Sequence, residues 1–172
     1  MRAALVLLLV AALAVTPAVA KTKGEARAAQ LLDTCEKFAS GDVLIVEWAT
    51  AQGWTASEGQ SDTVYAHIYN ATKTIEGVGD VTLFGLVETY PGQTLGYCRM
   101  DVQSPAANLG VLTLNDLPRL SGAVQAVDGG EYGTWQGAET GRDYLLLASQ
   151  TATAFALQLT TFTARSAAVP HT

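Results

Sequence analysis

The apolar positions near the start of the chain follow a helical period. From about residue 25 they recur at spacings of three and four, on a stripe made of Ala28, Leu31 or Leu32, Cys35 and Phe38. This pattern predicts a helix with Cys35 on its buried side. A second helix is predicted from about 43 to 52, because Ser40-Gly41-Asp42 can begin it and Gly53 can end it in a left-handed conformation. The two would form an αα-hairpin.

A period of two replaces the helical period after a polar connection at 55–62. Val64, Ala66 and Ile68 alternate with more polar neighbours, as expected of a half-buried strand, and 70–72 is predicted to be a turn or a short bridge. Further strands are predicted at 81–89, 94–102, 132–136, 143–149 and 153–163. Consecutive strands joined by short turns favour an antiparallel sheet.

The turn at 90–93 allows a register to be predicted. Pro91 and Gly92 suit the two central positions of a type II turn, so residues 90 and 93 should pair. Gly85 then falls opposite Cys98, on a nearly apolar face that should meet the helices. The other face carries Tyr97 and Arg99 and should be either partly solvated or covered by another element.

A third helix is predicted from Asn115 or Asp116 to about Val127, with Pro118 in its first turn. Its stripe would consist of Leu117, Leu120, Val124 and Val127. The expected fold is therefore α+β: an N-terminal αα-hairpin packed on an antiparallel sheet of about five or six strands, with the third helix inserted between two strand groups. Residues 21–163 would form one domain and 164–172 a disordered tail.

Residues 1–20 have the pattern of a cleaved signal peptide. Arg2 is positive, residues 3–15 are apolar, Pro17 breaks the run, and Ala18-Val19-Ala20 places small residues where signal peptidase reads. The apolar run is shorter than the roughly 20 residues of a membrane span, although an uncleaved anchor is the alternative. We therefore expect an exported protein, periplasmic or extracellular, with no membrane span after cleavage.

The chain has two cysteines, Cys35 and Cys98. In an exported protein they are expected to form one disulfide, and two free buried thiols are the alternative reading. A disulfide over so long a loop would stabilise the fold by up to about 4 kcal/mol in the chain-entropy model.

Composition narrows the range of partners. The net charge of −6 at pH 7 is spread along the chain and argues against nucleic acid and anionic membranes as partners. An Ala-, Thr- and Gly-rich sequence with few lysines is typical of a bacterial protein.

Catalytic and metal patterns are weak in this sequence. It has no Gly-x-Ser-x-Gly motif, no Cys-x-x-Cys motif, no phosphate-binding loop and no closely spaced metal ligands, so neither metal nor cofactor is expected. His67 is the only histidine on a predicted strand. A carboxylate pair drawn from Glu88, Asp101 and Asp116 remains an alternative, although such residues usually belong to solvated surface or helix caps.

The aromatic residues of the predicted strands suggest a recognition surface. Tyr65, His67, Tyr97 and Arg99 are the candidate binding residues, and Tyr69, Phe84 and Trp135 could share their face. Ordinary cross-strand packing is the competing explanation. We expect an exported non-enzymatic domain that binds a protein or a small ligand. The alternatives are an envelope structural or assembly protein that pairs by a sheet edge, and a hydrolase using a carboxylate pair or His67.

Overall fold

A computed structural model describes residues 22–139 and 142–164. Two helices come first, α1 at Lys23–Phe38 and α2 at Ile45–Ala51. Eight strands follow: β1 Thr55–Gly59, β2 Ala66–Ile75, β3 Gly79–Tyr90, β4 Gln93–Gln103, β5 Ser121–Val127, β6 Gly130–Glu139, β7 Arg142–Thr151 and β8 Ala154–Ala164. A short 3-10 helix at Val111–Leu114 lies between β4 and β5. The predicted signal peptide at 1–20, and the predicted tail beyond Ala164, lie outside the described residues.

The strands form one antiparallel sheet in the order β1-β2-β3-β4-β8-β7-β6-β5. It consists of two four-stranded meanders, β1–β4 and β5–β8, which meet where β4 pairs with β8. The helical elements contribute their buried residues to one continuous core on one face of the sheet. We call the opposite side of the sheet the open face. Within the described ranges, no helix has the length and apolar character needed to cross a membrane.

The predicted fold class is wrong in its balance of helix and sheet. The protein is mostly sheet, with eight strands instead of five or six, and it lacks the third helix within the described ranges. Residues 55–59, predicted to be a connection, form edge strand β1, and 70–72 continue β2 without a turn.

The segment predicted as the third helix forms two tight turns and then β5. Leu117 and Leu120 donate backbone hydrogen bonds to the carbonyls three residues earlier, and the Leu117 side chain is buried in the core. Gly122 disfavours a helix by about 1 kcal/mol relative to alanine. In β5, Gly122 instead allows close packing on β6, since a Cβ there would be 2.0 Å from the Thr134 carbonyl oxygen. Val127 is half exposed, so the helical spacing of these apolar residues did not mark a buried stripe.

The predicted disulfide is confirmed. Cys35 on α1 and Cys98 on β4 are bonded, with a Cα–Cα distance of 5.4 Å, and both are fully buried. Gly85 pairs with Cys98 as predicted. The C-terminal end of α1 also packs tightly on the sheet at Gly96, where a Cβ would be 2.0 Å from the carbonyl oxygen of Ala39, the residue that follows α1. The disulfide and this contact together fix the end of α1 on β4.

The local predictions at the two turns are confirmed in part. The β3–β4 register is as predicted, with Tyr90 paired to Gln93, but Gly92 does not adopt the left-handed conformation of a type II turn. Gly53 is left-handed at the end of α2, with φ of 79°. The Trp54 N–H bonds back to the Ala49 carbonyl at 3.0 Å, which completes a Schellman motif and buries the Trp54 side chain.

Candidate functional site

The open face presents large apolar side chains to solvent. Phe84, Leu145 and Phe162 are exposed by 39, 39 and 41 % of their surface. Phe84 packs edge-to-face on Tyr97, with ring centroids 6.2 Å apart. An exposed apolar surface spread over neighbouring strands is characteristic of an interaction site.

A depression of about 570 Å³ lies on this face where the two meanders join. We call it the open-face depression. Its lining is mostly apolar and comes from β4, β6, β7 and β8: Leu95, Gln136, Gly137, Ala138, Asp143, Tyr144, Leu145, Thr160, Thr161 and Phe162. The volume is in the usual range of small-molecule sites. Asp143 is its one ionisable open-face side chain among the described residues, so the depression suits an uncharged apolar body with a polar end.

A second cavity, the end cleft, lies on the helix side of the sheet beyond the C-terminal end of α1. It has a volume of about 450 Å³ and is lined by Ser40, Gly41, Val43, Val64, His67, Tyr69, Thr89, Thr94 and Thr163. His67 Nδ1 is 2.7 Å from Glu58 Oε1, and the His67 ring stacks on Tyr69. Burial raises the pKa of the Tyr69 hydroxyl, and the negative charges of Glu58 and Asp42 raise it further.

The structure separates the four predicted binding residues. Tyr97 and Arg99 lie on the open face, whereas the β2–β3 register places His67 on the helix-covered face. Tyr65 precedes β2 and stacks on Tyr90, with centroids 6.0 Å apart. The single aromatic surface proposed from the sequence is therefore not formed. Whether any of these side chains binds a partner stays a prediction.

Two of the predicted side chains already have intramolecular partners. The Arg99 guanidinium donates two hydrogen bonds of 2.8 Å to the Asp101 carboxylate. Trp135, predicted to belong to the aromatic face, is buried in the core instead and donates a 2.9 Å hydrogen bond to Asn115 Oδ1. Phe84 and Tyr97 remain in ring contact with each other on the open face.

The candidate catalytic carboxylates do not come together. Glu88 pairs with Leu95 and Asp101 lies six residues further along β4, so these two carboxylates are separated by about 20 Å. Asp116 is exposed in the turn after the 3-10 helix. Among the described residues, no group of three or more metal-ligating side chains is present, and His67 has hydrogen-bonding contact with Glu58 alone. This arrangement gives the hydrolase alternative no specific support.

The free edge of β5 is a third candidate surface. Ser121–Val127 carries neither a charged residue nor proline, and six of its seven residues are exposed. Edge strands are usually protected by charge, proline or a bulge, because their unpaired backbone groups can bind another strand. Edge strand β1 at the opposite side of the sheet has such protection in Glu58.

Sequence reasoning missed Leu145 and Phe162 as candidate ligand contacts. In the run Tyr144-Leu145-Leu146-Leu147, consecutive apolar residues favour a strand buried on both faces, so the sequence does not distinguish Leu145 as an exposed residue. Because side chains alternate along a strand, Leu95 shares the face of Tyr97, and this alternation is a sequence signal for its position. Comparison with known proteins gave no match to any family model, curated protein or solved structure.

Proposed function

We propose that this chain is an exported binding protein whose open-face depression holds a small, largely apolar ligand. The observation that carries the proposal is the convergence of Leu95, Leu145 and Phe162 around a cavity of about 570 Å³. Export is supported by the disulfide and by the pattern of residues 1–20, since disulfides persist in oxidising compartments. A periplasmic or extracellular location is part of this proposal.

The chemistry of the depression defines the ligand class. Burying each exposed aliphatic or aromatic side chain under a ligand stabilises the complex by about 25 cal/mol per Å² of apolar surface removed from water. Gln136, Asp143 and Thr160 supply polar groups at the same site. Because Asp143 is an acceptor when ionised and would repel an anion, the ligand's polar end should carry a hydroxyl or an amine rather than a carboxylate.

Fluorescence titration with the neutral apolar dye N-phenyl-1-naphthylamine tests the proposal. The chain should enhance its emission, and Leu145→Gln should raise the Kd about tenfold, as expected for the loss of one buried leucine contact. Leu112→Gln is the matched control, because Leu112 is an exposed leucine on the 3-10 helix, outside the depression. No enhancement, or equal weakening by both substitutions, would contradict the proposal.

A second candidate function, assembly through a sheet edge, is supported by the uncharged β5 edge. Two copies could pair antiparallel along β5 around a two-fold axis at Val124. That register keeps both helical layers on one side and continues the sheet across the dimer. The partner in this proposal is a second copy of the chain.

Sedimentation velocity over a wide concentration range tests the assembly. The unsubstituted chain should dimerise, and Gln125→Lys on the edge should shift it to monomer. Ser149→Lys adds the same charge to the inner strand β7 and should leave the dimer intact. A monomer at every concentration would refute assembly by this edge without affecting the ligand proposal.

A further inference from the structure

The end cleft has an unusually apolar mouth. Val64 and Val43 are exposed by 87 and 81 %, and both line the cleft. Leu44, Tyr65 and Tyr90 extend this exposed surface, which we call the apolar rim and define by these five residues. Large apolar side chains at loop tips lose the stabilisation of burial, about 1.5–3 kcal/mol for a valine or leucine. Their grouping around one cavity indicates an interaction surface.

The two loops that carry the rim are held in place by their own side chains. Ser40 Oγ donates to the Lys37 carbonyl and accepts from the Asp42 N–H, and Asp42 Oδ1 accepts from the Leu44 N–H at 3.0 Å. In the second loop, which precedes β2, the Thr63 hydroxyl accepts a hydrogen bond from the Tyr65 N–H. Loops ordered before binding lose less conformational entropy when a partner docks.

The interior of the cleft differs from its mouth. Five hydroxyl groups line it, from Ser40, Tyr69, Thr89, Thr94 and Thr163. Glu58 contacts the cleft through His67, and both Glu58 and Asp42 act electrostatically on the Tyr69 hydroxyl. The interior is therefore polar and under negative potential.

The loop side of the cleft is negatively charged, whereas on the β8 side Arg142 of β7 pairs with the lining residue Thr163. The segments 40–47, 58–69 and 86–96 form the loop side and contain neither lysine nor arginine. They carry five carboxylates: Asp42, Glu47, Glu58, Asp62 and Glu88. Such a surface repels anionic lipid and attracts a cation.

We propose that the end cleft receives a lysine or arginine side chain of a partner polypeptide. The aliphatic stem would lie between Val43 and Val64, and the cationic head would face Asp42, Glu58 and the hydroxyls. Lysine and arginine combine these two properties in one side chain, because they bury an apolar stem and keep the charged end in a polar environment. The site is on the opposite face from the open-face depression, so the proposal does not depend on ligand binding there.

NMR titration of the ¹⁵N-labelled chain tests the proposal with blocked pentapeptides. The probe is acetyl-Ala-Val-Lys-Val-Ala-amide, and its matched controls replace lysine by norleucine or glutamate. The lysine peptide should shift the amide signals of Val43, Val64 and His67, and the controls should bind about fivefold more weakly or not at all, as expected for one partly exposed charge contact. Equal binding by the norleucine or glutamate peptide would overturn the proposal.

Substitutions that preserve the loops complete the test. Asp42→Asn keeps an oxygen for the Leu44 N–H, and Glu58→Gln keeps one for His67, so each removes charge alone. Each should weaken the lysine peptide about threefold. Val64→Ser should weaken it as well, whereas Asp116→Asn and Leu112→Ser, at exposed sites elsewhere, should not.

Two further titrations separate a polypeptide from other sources of the same chemistry. Butylammonium should bind more weakly than the peptide, because it lacks the flanking valines that would contact the rim. Equal affinity for butylammonium would identify a free amine as the ligand and refute a polypeptide partner. Phosphatidylcholine vesicles should not bind the chain, and vesicle binding lost in Val64→Ser would instead make the rim a membrane contact.

Discussion

Gly96 lies directly against the main chain of Ala39. A Cβ at residue 96 would be 2.0 Å from the Ala39 carbonyl oxygen, and that oxygen also accepts a 3.3 Å hydrogen bond from the Thr161 hydroxyl. The end of α1 therefore rests on the backbone of β4 and is bonded to β8. Gly96 lies two residues before Cys98 on β4. The disulfide and the close backbone contact therefore both hold the end of α1 on this part of the sheet.

Gly96→Ala should destabilise the fold. The added methyl group must displace backbone rather than a flexible side chain, and overpacking of this kind costs about 1–3 kcal/mol. Urea denaturation followed by circular dichroism would measure the loss. Gly92→Ala is the matched control, because no atom lies within 4 Å of a Cβ at that position and its φ is not left-handed. A stable Gly96→Ala variant would mean that α1 does not contact β4 in this way.

Removing the disulfide should lower the free energy of unfolding by about 3–4 kcal/mol, because the bond closes a loop of 63 residues in the unfolded chain. The variants Cys35→Ser and Cys98→Ser should each lower the Tm. Dithiothreitol should lower the Tm of the unsubstituted chain and leave both variants unaffected. A variant as stable as the parent chain would show that the two sulfurs are not joined in solution.

Asn115→Ala should destabilise the fold by about 1 kcal/mol or somewhat more. It removes the acceptor of the buried Trp135 indole N–H, and a buried donor without a partner loses its hydration. Thermal unfolding followed by tryptophan fluorescence would measure the change. Asn70→Ala, at an exposed position of the open face, should be nearly neutral.

Stability at alkaline pH should depend on Tyr69. Its folded-state pKa is raised above the ordinary value of about 10, so well below pH 10 the hydroxyl is protonated in both the folded and the unfolded chain. As the pH rises above 10, the unfolded chain loses the proton first, and the stability falls until the folded-state pKa is passed. Tyr69→Phe should remove this part of the alkaline loss.

Urea denaturation of both chains at pH 7 and pH 11 gives the measurement for Tyr69. The comparison at pH 7 accounts for any change of packing caused by loss of the hydroxyl. An identical fall in stability between the two pH values in both chains would show that Tyr69 ionises no later in the folded state than in the unfolded one.

Local signals predicted the parts of the fold that local chemistry determines. Two cysteines admit one intramolecular pairing, and Pro91-Gly92 set the register of β3 with β4, both as observed. Asp128-Gly129 was an equally good hairpin signal, and it does join β5 to β6 in the structure. The helical spacing of Leu117, Leu120 and Val124 nevertheless favoured a helix up to about Val127, which left no place for a strand before this turn.

The candidate sites could not be predicted from the alternation of apolar and polar residues along the strands. A period of two assigns Tyr97 and Phe84 to one face, but it does not say whether a helix covers that face. The period of two also does not show that His67 lies on the opposite face from Tyr97 and Arg99. Which residues of two strands share a face depends on their register, and the register of β2 with β3 could not be read from the sequence. The apolar rim gave no clearer signal, since Val43-Leu44 continue directly into the apolar residues of α2 and Val64-Tyr65 precede β2.

The pairing of β4 with β8 affects the order in which the two halves of the sheet fold. Each meander is built from hairpins between sequence neighbours, whereas Leu95 on β4 pairs with Phe162 on β8, 67 positions later in the chain. Closing such a long loop is slow, so the two halves should form first and dock afterwards. The open-face depression spans the pairing of β4 with β8 and exists only after docking, so an apolar ligand bound there would act as a clamp against separation of the two halves.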